Sequence, residues 1–572
     1  MALQAYPDVP LFRYAYTPLT EAQILEKLAG PARVGPSSKA GLESDLAGTS
    51  LRIVTDGAGT LTWQFGSGNR VTFDGADAGY GALTVDHVTL IGHLVPGKAK
   101  GYAIAWDRHS NLATVFELWW GGEGPAPRPR EINRAVWHGY VVADGPAPEN
   151  RHKPTLRLEG RAFAWTEDTG KRTIEYYPSV TYSHWVELDR LKDYRGYSAP
   201  SDYIQLTEDI YAFARVEAEF SGLLHLYVMD VNRLQQAGLR LGFNGADELE
   251  YYMFRGKGEW LGQIARFEKF GDFSAEPLKI ENAKKGERRI YRPLETMDKM
   301  TPAEVDAVVA EKTEVFSRAS PMAGNGLPPT GNLAAKSFTV EYDRGPKMEY
   351  RFVSGDELQW RKDGAGEFRQ ARYNAWETVP NVFIFGHLLE GTRDHDGHIV
   401  VVDLDSGMAS AFRGYLNTPY FANEAGAETL FGKVVGQGIP NPGRRRHQRT
   451  RDLLGRAFTW EYSPGLNSMH LYSTPYTTSW VIPTPDGHMG TEWCGSGDFI
   501  KIRDQLYFAR WQEEACNGTL GTILINMRTM HDAGIGYHCG KQGGLSMSAV
   551  AGIARHAGKI DVERFFPVRT GA

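Results

Sequence analysis

The apolar residues of this chain fall mostly in short alternating runs separated by turn residues. LTWQF, RVTF, GYAIAWD, YIQL and DIYAFARVEAEF carry the pattern in the first half; MEYRF, ELQW, HIVVVDLD, AFTWEY, FIKI and QLYFARWQEE carry it in the second. A period of two over such lengths marks half-buried strands. Helical periodicity shows in two places. PLTEAQILEKL offers Thr20 with Gln23 three residues on, a capping box ahead of an amphipathic run. MTPAEVDAVVAEKTEVF offers Thr301 as cap, Pro302 at the first helical position and Glu304 closing the box. Many short strands and few helices predict a mainly β chain of antiparallel barrels with a few short helices, not a doubly wound sheet.

The pattern is written twice. EGRAFAW (159–165) returns as LGRAFTW (454–460), with Arg161 and Arg456 standing 295 residues apart. The same spacing takes Trp185 to Trp480, Arg215 to Arg510, and the pair Arg151-His152 to Arg446-His447. Upstream, TLIGHL answers FIFGHL, taking His93 to His387, and LAGTSLRIV answers LAAKSFTVE. So many landmarks in one order mean an internal duplication. Each copy divides into two β units, giving an N-terminal segment with a helix (1–47), barrels over 48–150 and 151–275, a linker with a helix (276–334), and barrels over 335–445 and 446–572. SPMAGNGLPPTGN (320–332) reads as loop.

Charge and composition narrow the function. Sixty-three basic and sixty-nine acidic residues leave a net −6 on 572 residues, which calls for neither nucleic acid nor an anionic membrane as partner. The basic run GRRRHQRTR lies in a linker and reads as solvated. Cys494, Cys516 and Cys539 form no CxxC, the pattern of reduced thiols in a cytoplasmic protein. Neither a signal peptide nor an apolar stretch of membrane-spanning length is present in the sequence as read. RDHDGHIV gathers His395, Asp396 and His398, but Asp-Gly between apolar runs is a hairpin signal, so no metal is expected there. Nucleotide-binding loops and hydrolase motifs are absent, and no cofactor is expected.

The GHL segment followed by GRAF-x-W, in a two-domain unit of this length, resembles the MoaF family in tandem duplication. More distantly, GRAFTWEY … TSWVI … GDFIKIRDQLYFARWQEE … GTILINM is similar to the phenolic acid decarboxylases, which are lipocalin-like barrels working without a cofactor. That resemblance implies lipocalin-like barrels here and a small ligand among the inward side chains. It also implies two tyrosines holding a carboxylate, with a glutamate and an arginine assisting proton transfer. The tyrosine columns fall on Trp460 and Tyr462 in the second copy, and on Trp165 and Glu167 in the first. The glutamate column falls on Glu513, and on Ala218 in the first copy; the arginine column holds Glu492. The departures put plain phenolic acid decarboxylation in doubt.

Strand alternation puts Trp511 and Glu513 on one face and Arg510 with Gln512 on the other. A carboxyl beside an indole in an apolar barrel is held partly protonated, as a general acid requires. In the first copy Ile210, Ala212, Ala214, Val216 and Ala218 form an all-apolar face, read as a packed interior without chemistry. The catalytic expectation therefore rests on Glu513, Tyr462 and Arg510 of the second copy. Trp460, Trp511, Trp480 and His387 are the substrate contacts. The expected function is a cofactor-independent lyase (decarboxylase, hydratase, dehydratase or isomerase) for a small aromatic or apolar organic acid. The alternatives are a carrier of a hydrophobic metabolite and a cyclase or pericyclase. The chain is expected to act as a monomer or homodimer.

Overall fold

The computed structural model describes residues 19–29, 35–121, 128–179, 181–189, 196–217, 221–266, 299–418, 421–482, 492–513 and 518–566. It is 57% strand and 5% helix, which settles the mainly β class. Among the described residues the two α-helices are Glu21–Leu28 and Pro302–Glu311, and both have the expected reciprocal capping boxes at Thr20/Gln23 and Thr301/Glu304. The first part of the expected linker, residues 276–298, lies outside the described residues.

The described strands wind into four antiparallel barrels. Barrel A runs from Ser50–Thr55 to Arg128–Val141, and its first and last strands pair to close it. Barrel B runs from Arg161–Glu167 to Leu249–Ile264 and closes in the same way. Barrel C runs from Ser337–Tyr342 to Gly426–Val435, which pair. It is nearly closed: where barrel A has the continuous strand Ala76–Val85, barrel C has Arg369–Arg372 and Asn374–Val379, broken at Tyr373. Barrel D runs from Arg456–Ser463 to Ile553–Ile560, and these pair. Its final strand is likewise interrupted, at Ala551-Gly552.

The barrels pack through their outer faces, which is why so many strands are apolar on both sides. One core joins A to B and includes Leu83, Leu90 and Phe116 with Ile210, Ala212, Ala214 and Leu239. A matching core joins C to D through Ile384, Val401 and Phe412 with Leu506, Phe508 and Leu524. A third joins B to D. The apolar face of Ile210–Val216 therefore does not look inward, as expected from its composition. It packs on barrel A, while Tyr211 and Phe213 fill the interior of barrel B with Trp165, Tyr177 and Tyr227. A barrel flanked by another barrel needs an apolar exterior as much as an apolar interior.

Barrels B and D meet by strand pairing with a two-fold character. Gly262 pairs with Ile560, Gln263 with Lys559 and Ile264 with Gly558. Gly262 and Gly558 are equivalent within their barrels, each opposite the alanine of GRAF. The pairing is thus self-complementary, the mark of an isologous interface. The GRAF glycine serves this junction. Gly160 and Gly455 sit at φ +81 and +75, and a Cβ on them would stand 2.4 and 2.2 Å from the carbonyl oxygens of Ile264 and Ile560. Only glycine accepts that backbone at that distance.

The repeated Arg-His pairs tie each linker to its first barrel. Arg151 bonds Asp56 and Arg446 bonds Asp343, while His152 and His447 meet Thr114 and Ser410 at 3.0 Å.

Candidate functional site

Cross-strand pairing fixes which residues of the two copies are equivalent. Trp185 lies opposite Tyr197 in barrel B, and Trp480 lies opposite Trp493 in barrel D, so one residue has been gained between these strands. From there on the spacing is 296. Ser201 faces Arg215 and Gly497 faces Trp511, which makes Arg215 equivalent to Trp511. The match of Arg215 to Arg510 is therefore corrected: Arg510 answers Ala214. The counterpart of Glu513 is Glu217, not Ala218, which lies outside the described residues. Both glutamates open the same turn, with Glu217 N–H donating to Leu223 O at 2.8 Å and Glu513 N–H to Thr519 O at 2.9 Å.

Register then shows how the two interiors differ. In barrel B, Arg215 is fully buried, bonds Glu175 through Nη1 and stacks 4.1 Å from the centre of the Trp185 ring. Its Nε and Nη2 have no hydrogen-bond partner, and neither has Oε1 of Glu175 or either nitrogen of His225, which lies directly across the sheet from Arg215. Burial raises the Glu175 carboxyl above its ordinary range against the opposing pull of Arg215. Burial, with the Arg215 charge, holds His225 well below its own, so the imidazole is neutral. His225 Nε2 is 3.7 Å from Glu167, and the Tyr177 and Tyr227 hydroxyls meet at 2.6 Å. Trp165, Glu167 and Gln236 also line a cleft of about 760 Å³ at the edge of this barrel, between Val85 of barrel A and Lys257.

In barrel D the same positions carry other chemistry. His470 replaces Glu175, Trp511 replaces Arg215, and Gly521 replaces His225. Of the expected residues, Trp460, Tyr462, Trp511 and Glu513 do come together. Trp511 Nε1 donates to Glu513 Oε1 at 3.2 Å, and Tyr462 reaches His470 at 3.4 Å. Trp480 lies on the same inward face, opposite His470. Two residues escaped the sequence reading. His470 packs edge-on against Trp511 with ring centres 5.2 Å apart, its pKa lowered by burial to about 3. Asp532 is fully buried, accepts from Gly552 N–H at 2.5 Å, and is raised by burial to about 8. Asp532 and Glu513 add to the burial that lifts the Tyr462 phenol well above its usual range. Position opposite a repeated tryptophan was the available signal for Glu175 and His470.

Two expected residues lie elsewhere. Arg510 is on the outer face, donating to Gln512 Oε1 at 2.9 Å and lying 5.8 Å over the Phe412 ring of barrel C. Alternation separates it from Glu513. His387 is inside barrel C, 3.4 Å from the Tyr350 hydroxyl, which also meets His398 at 2.8 Å. His93 is its equivalent in barrel A and accepts from Trp63 Nε1 at 2.8 Å. Burial lowers both repeated histidines to about 4. In RDHDGH the side chains diverge: His395 bonds Asp306, Asp396 lies 3.7 Å from Arg413, and His398 enters the barrel. Among the described residues, the one grouping with metal-ligand chemistry is His184, Glu492 and Cys494, between barrels B and D.

No helix among the described residues is long and apolar enough to cross a membrane. No curated protein matches the sequence. Family models do match the second half, one over barrel C and one over barrel D, and the barrels fit a calycin-like fold. Residues 316–418 match the MoaF N-terminal domain and residues 447–558 the MoaF C-terminal domain, so the sequence is MoaF-like.

Proposed function

We propose that the chain binds a small aromatic organic acid inside barrel B or barrel D and acts on it as a cofactor-independent lyase, with barrel B as the reacting site. The observation that carries this reading is Arg215. A guanidinium with two unpartnered nitrogens, Nε and Nη2, in an aromatic, water-poor interior is a receptor for a carboxylate. An anion bound there would push the neighbouring Glu175 further toward its protonated form, because like charges cannot both persist in a dry site. Glu175 then holds a proton beside the bound acid, the state a general acid needs. Tyr177, Tyr227 and Trp185 supply the apolar walls that orient an aromatic ring. The cleft at Trp165 and Glu167 is of the size that holds such a ligand; Arg215 is not on its wall, but Glu167 there stands 3.7 Å from His225, the cross-strand neighbour of Arg215. The distant likeness to phenolic acid decarboxylases favours decarboxylation within the lyase class.

A second reading, binding without turnover, is favoured by barrel D. Trp460 Nε1, His470 Nδ1, Tyr472 OH and Asp532 Oδ2 are buried there without partners, while no arginine faces the interior at the Arg215 position. Glu513 and Tyr462 would then anchor a ligand rather than transform it. Incubation with hydroxycinnamic acids, following ultraviolet absorbance and carbon dioxide, separates the two. Glu175→Gln should keep tryptophan quenching and lose turnover, and Glu513→Gln should keep both. Undiminished turnover in Glu175→Gln would remove barrel B as the reacting site.

A further inference from the structure

We propose that His184, Glu492 and Cys494 form a divalent transition-metal site, best suited to zinc, that joins the two copies at the contact of barrels B and D. The three side chains present ligand atoms within 4.8 Å of one another, and all are buried. They come from the outward faces of two different barrels. His184 stands on the strand Tyr182–Glu187 of B; Glu492 and Cys494 begin the strand Glu492–Arg503 of D. Imidazole, thiolate and carboxylate together are the donor set zinc takes, and the Ser198 hydroxyl lies 2.9 Å from Cys494 Sγ.

Two observations point to a ligand beyond the clustering itself. Glu492 is fully buried and neither carboxylate oxygen makes a hydrogen bond of normal geometry, although the Ser198 and Ser479 hydroxyls approach. Nε2 of His184 is also buried without a partner, while Nδ1 lies 3.1 Å from the Tyr197 carbonyl, the kind of contact that fixes a ligating ring. A buried carboxyl without well-formed hydrogen bonds is costly, and a cation offsets that cost. One thiolate and one carboxylate would neutralise a divalent ion, so the site could stay dry. His184 Nδ1 also lies 2.5 Å from Cys494 Sγ, so the ring must turn for Nε2 to meet an ion held by that sulfur.

Register explains why there is one such site per chain. His184 pairs with Ser198 in barrel B, and Ser479 pairs with Cys494 at the equivalent place in barrel D. Val186 pairs with Gly196, and Val481 with Glu492. The two faces are homologous and meet across the two-fold, but the imidazole is on one and the acid and thiol are on the other. A Cβ at Gly196 would lie 2.1 Å from His184 Cε1, so the first copy has no room for a matching glutamate.

The full-length chain, prepared with Co2+ in place of Zn2+, should bind one equivalent with the charge-transfer absorption of a thiolate–cobalt bond. Cys494→Ser should lose that band, and Cys516→Ser and Cys539→Ser should keep it. His184→Ala and Glu492→Gln should each weaken Co2+ binding by about a hundredfold or more. Glu492→Gln changes least in shape and decides the matter if His184→Ala gives no folded protein. Absence of the band in the parent chain, its survival in Cys494→Ser, or undiminished affinity in Glu492→Gln would overturn the assignment.

Discussion

Replacing Arg215 by Met tests whether the interior of barrel B is as dry as its geometry implies. The Arg215 and Glu175 side chains are 0% and 1% exposed, and they bond each other. Met retains most of the apolar bulk of the arginine stem but removes the cation. Glu175 is then a carboxylate in an aromatic core, and breaking a buried pair on one side costs about 3–5 kcal/mol. The penalty must depend on pH. Glu175 is already raised above its ordinary range, and loss of Arg215 raises it further. A group raised in the folded state contributes stability fully below its unfolded pKa and loses it as pH rises through the folded value. Arg215→Met should therefore unfold only slightly more easily than the parent near pH 4 and far more easily at pH 8. The double variant Glu175→Gln/Arg215→Met removes the stranded charge and should recover most of the loss at pH 8. Urea unfolding of the parent, both single variants and the double variant at the two pH values gives the coupling directly. If Arg215→Met at pH 8 is no less stable than the double variant, water reaches Glu175. The case for an anion receptor in barrel B then falls with it.

Barrel D offers two further tests. Asp532 is raised by burial to about 8, so its contribution is complete below 3.8 and lost as pH rises through about 8. Asp532→Asn should match the parent in melting temperature at pH 3.5 and exceed it at pH 9, and parallel melting curves across that range would show that the group is solvated. At Gly521 an added Cβ would lie 2.4 Å from the Trp511 ring, so Gly521→Ala should cost about 1–3 kcal/mol in urea unfolding and shift indole fluorescence. A neutral substitution with unchanged emission would mean that Trp511 has space beside it.

The fold was largely legible because its signals are local. Alternation marked the strands, the capping boxes at Thr20 and Thr301 marked both helices, and the repeated GRAF words marked where the second barrels begin. The inner face was not legible. In a lone barrel the apolar face points in, but these barrels bury both faces, so composition could not say which side of Ile210–Val216 looks inward. The column of Glu513 was missed for a related reason. YAFAR and LYFAR align by letter at a spacing of 295, whereas the sheet aligns them at 296, and one residue of slip exchanges the two faces. That slip hid the match of Trp511 to Arg215 and of Glu513 to Glu217; Arg510, on the opposite face by alternation, does not reach the site. The His184–Glu492–Cys494 group could not be read at all, because His184 lies 310 residues before Cys494 and meets it only through barrel packing.

The divergence of the two copies has a physical logic that the two-fold contact makes explicit. Pairing two copies of the first half would bring His184 and Ser198 together with a second His184 and Ser198, with no acid or thiol between them. Pairing two copies of the second half would set Glu492 and Cys494 against their duplicates, burying two carboxyls where one already has no hydrogen-bond partner. Such a pair is unfavourable unless one keeps its proton. Only the mixed pairing places an imidazole against a single carboxyl and a single thiol. The interiors follow the same rule. Arg215 demands a carboxylate beside it, and Glu175 supplies one; Trp511 demands space, and Gly521 supplies it. A symmetric dimer must make each of these choices twice, whereas a chain carrying both halves can make each once. The strand contact through Gly262, Gln263 and Ile264 stays self-complementary, because it is made of backbone, and there asymmetry has nothing to gain.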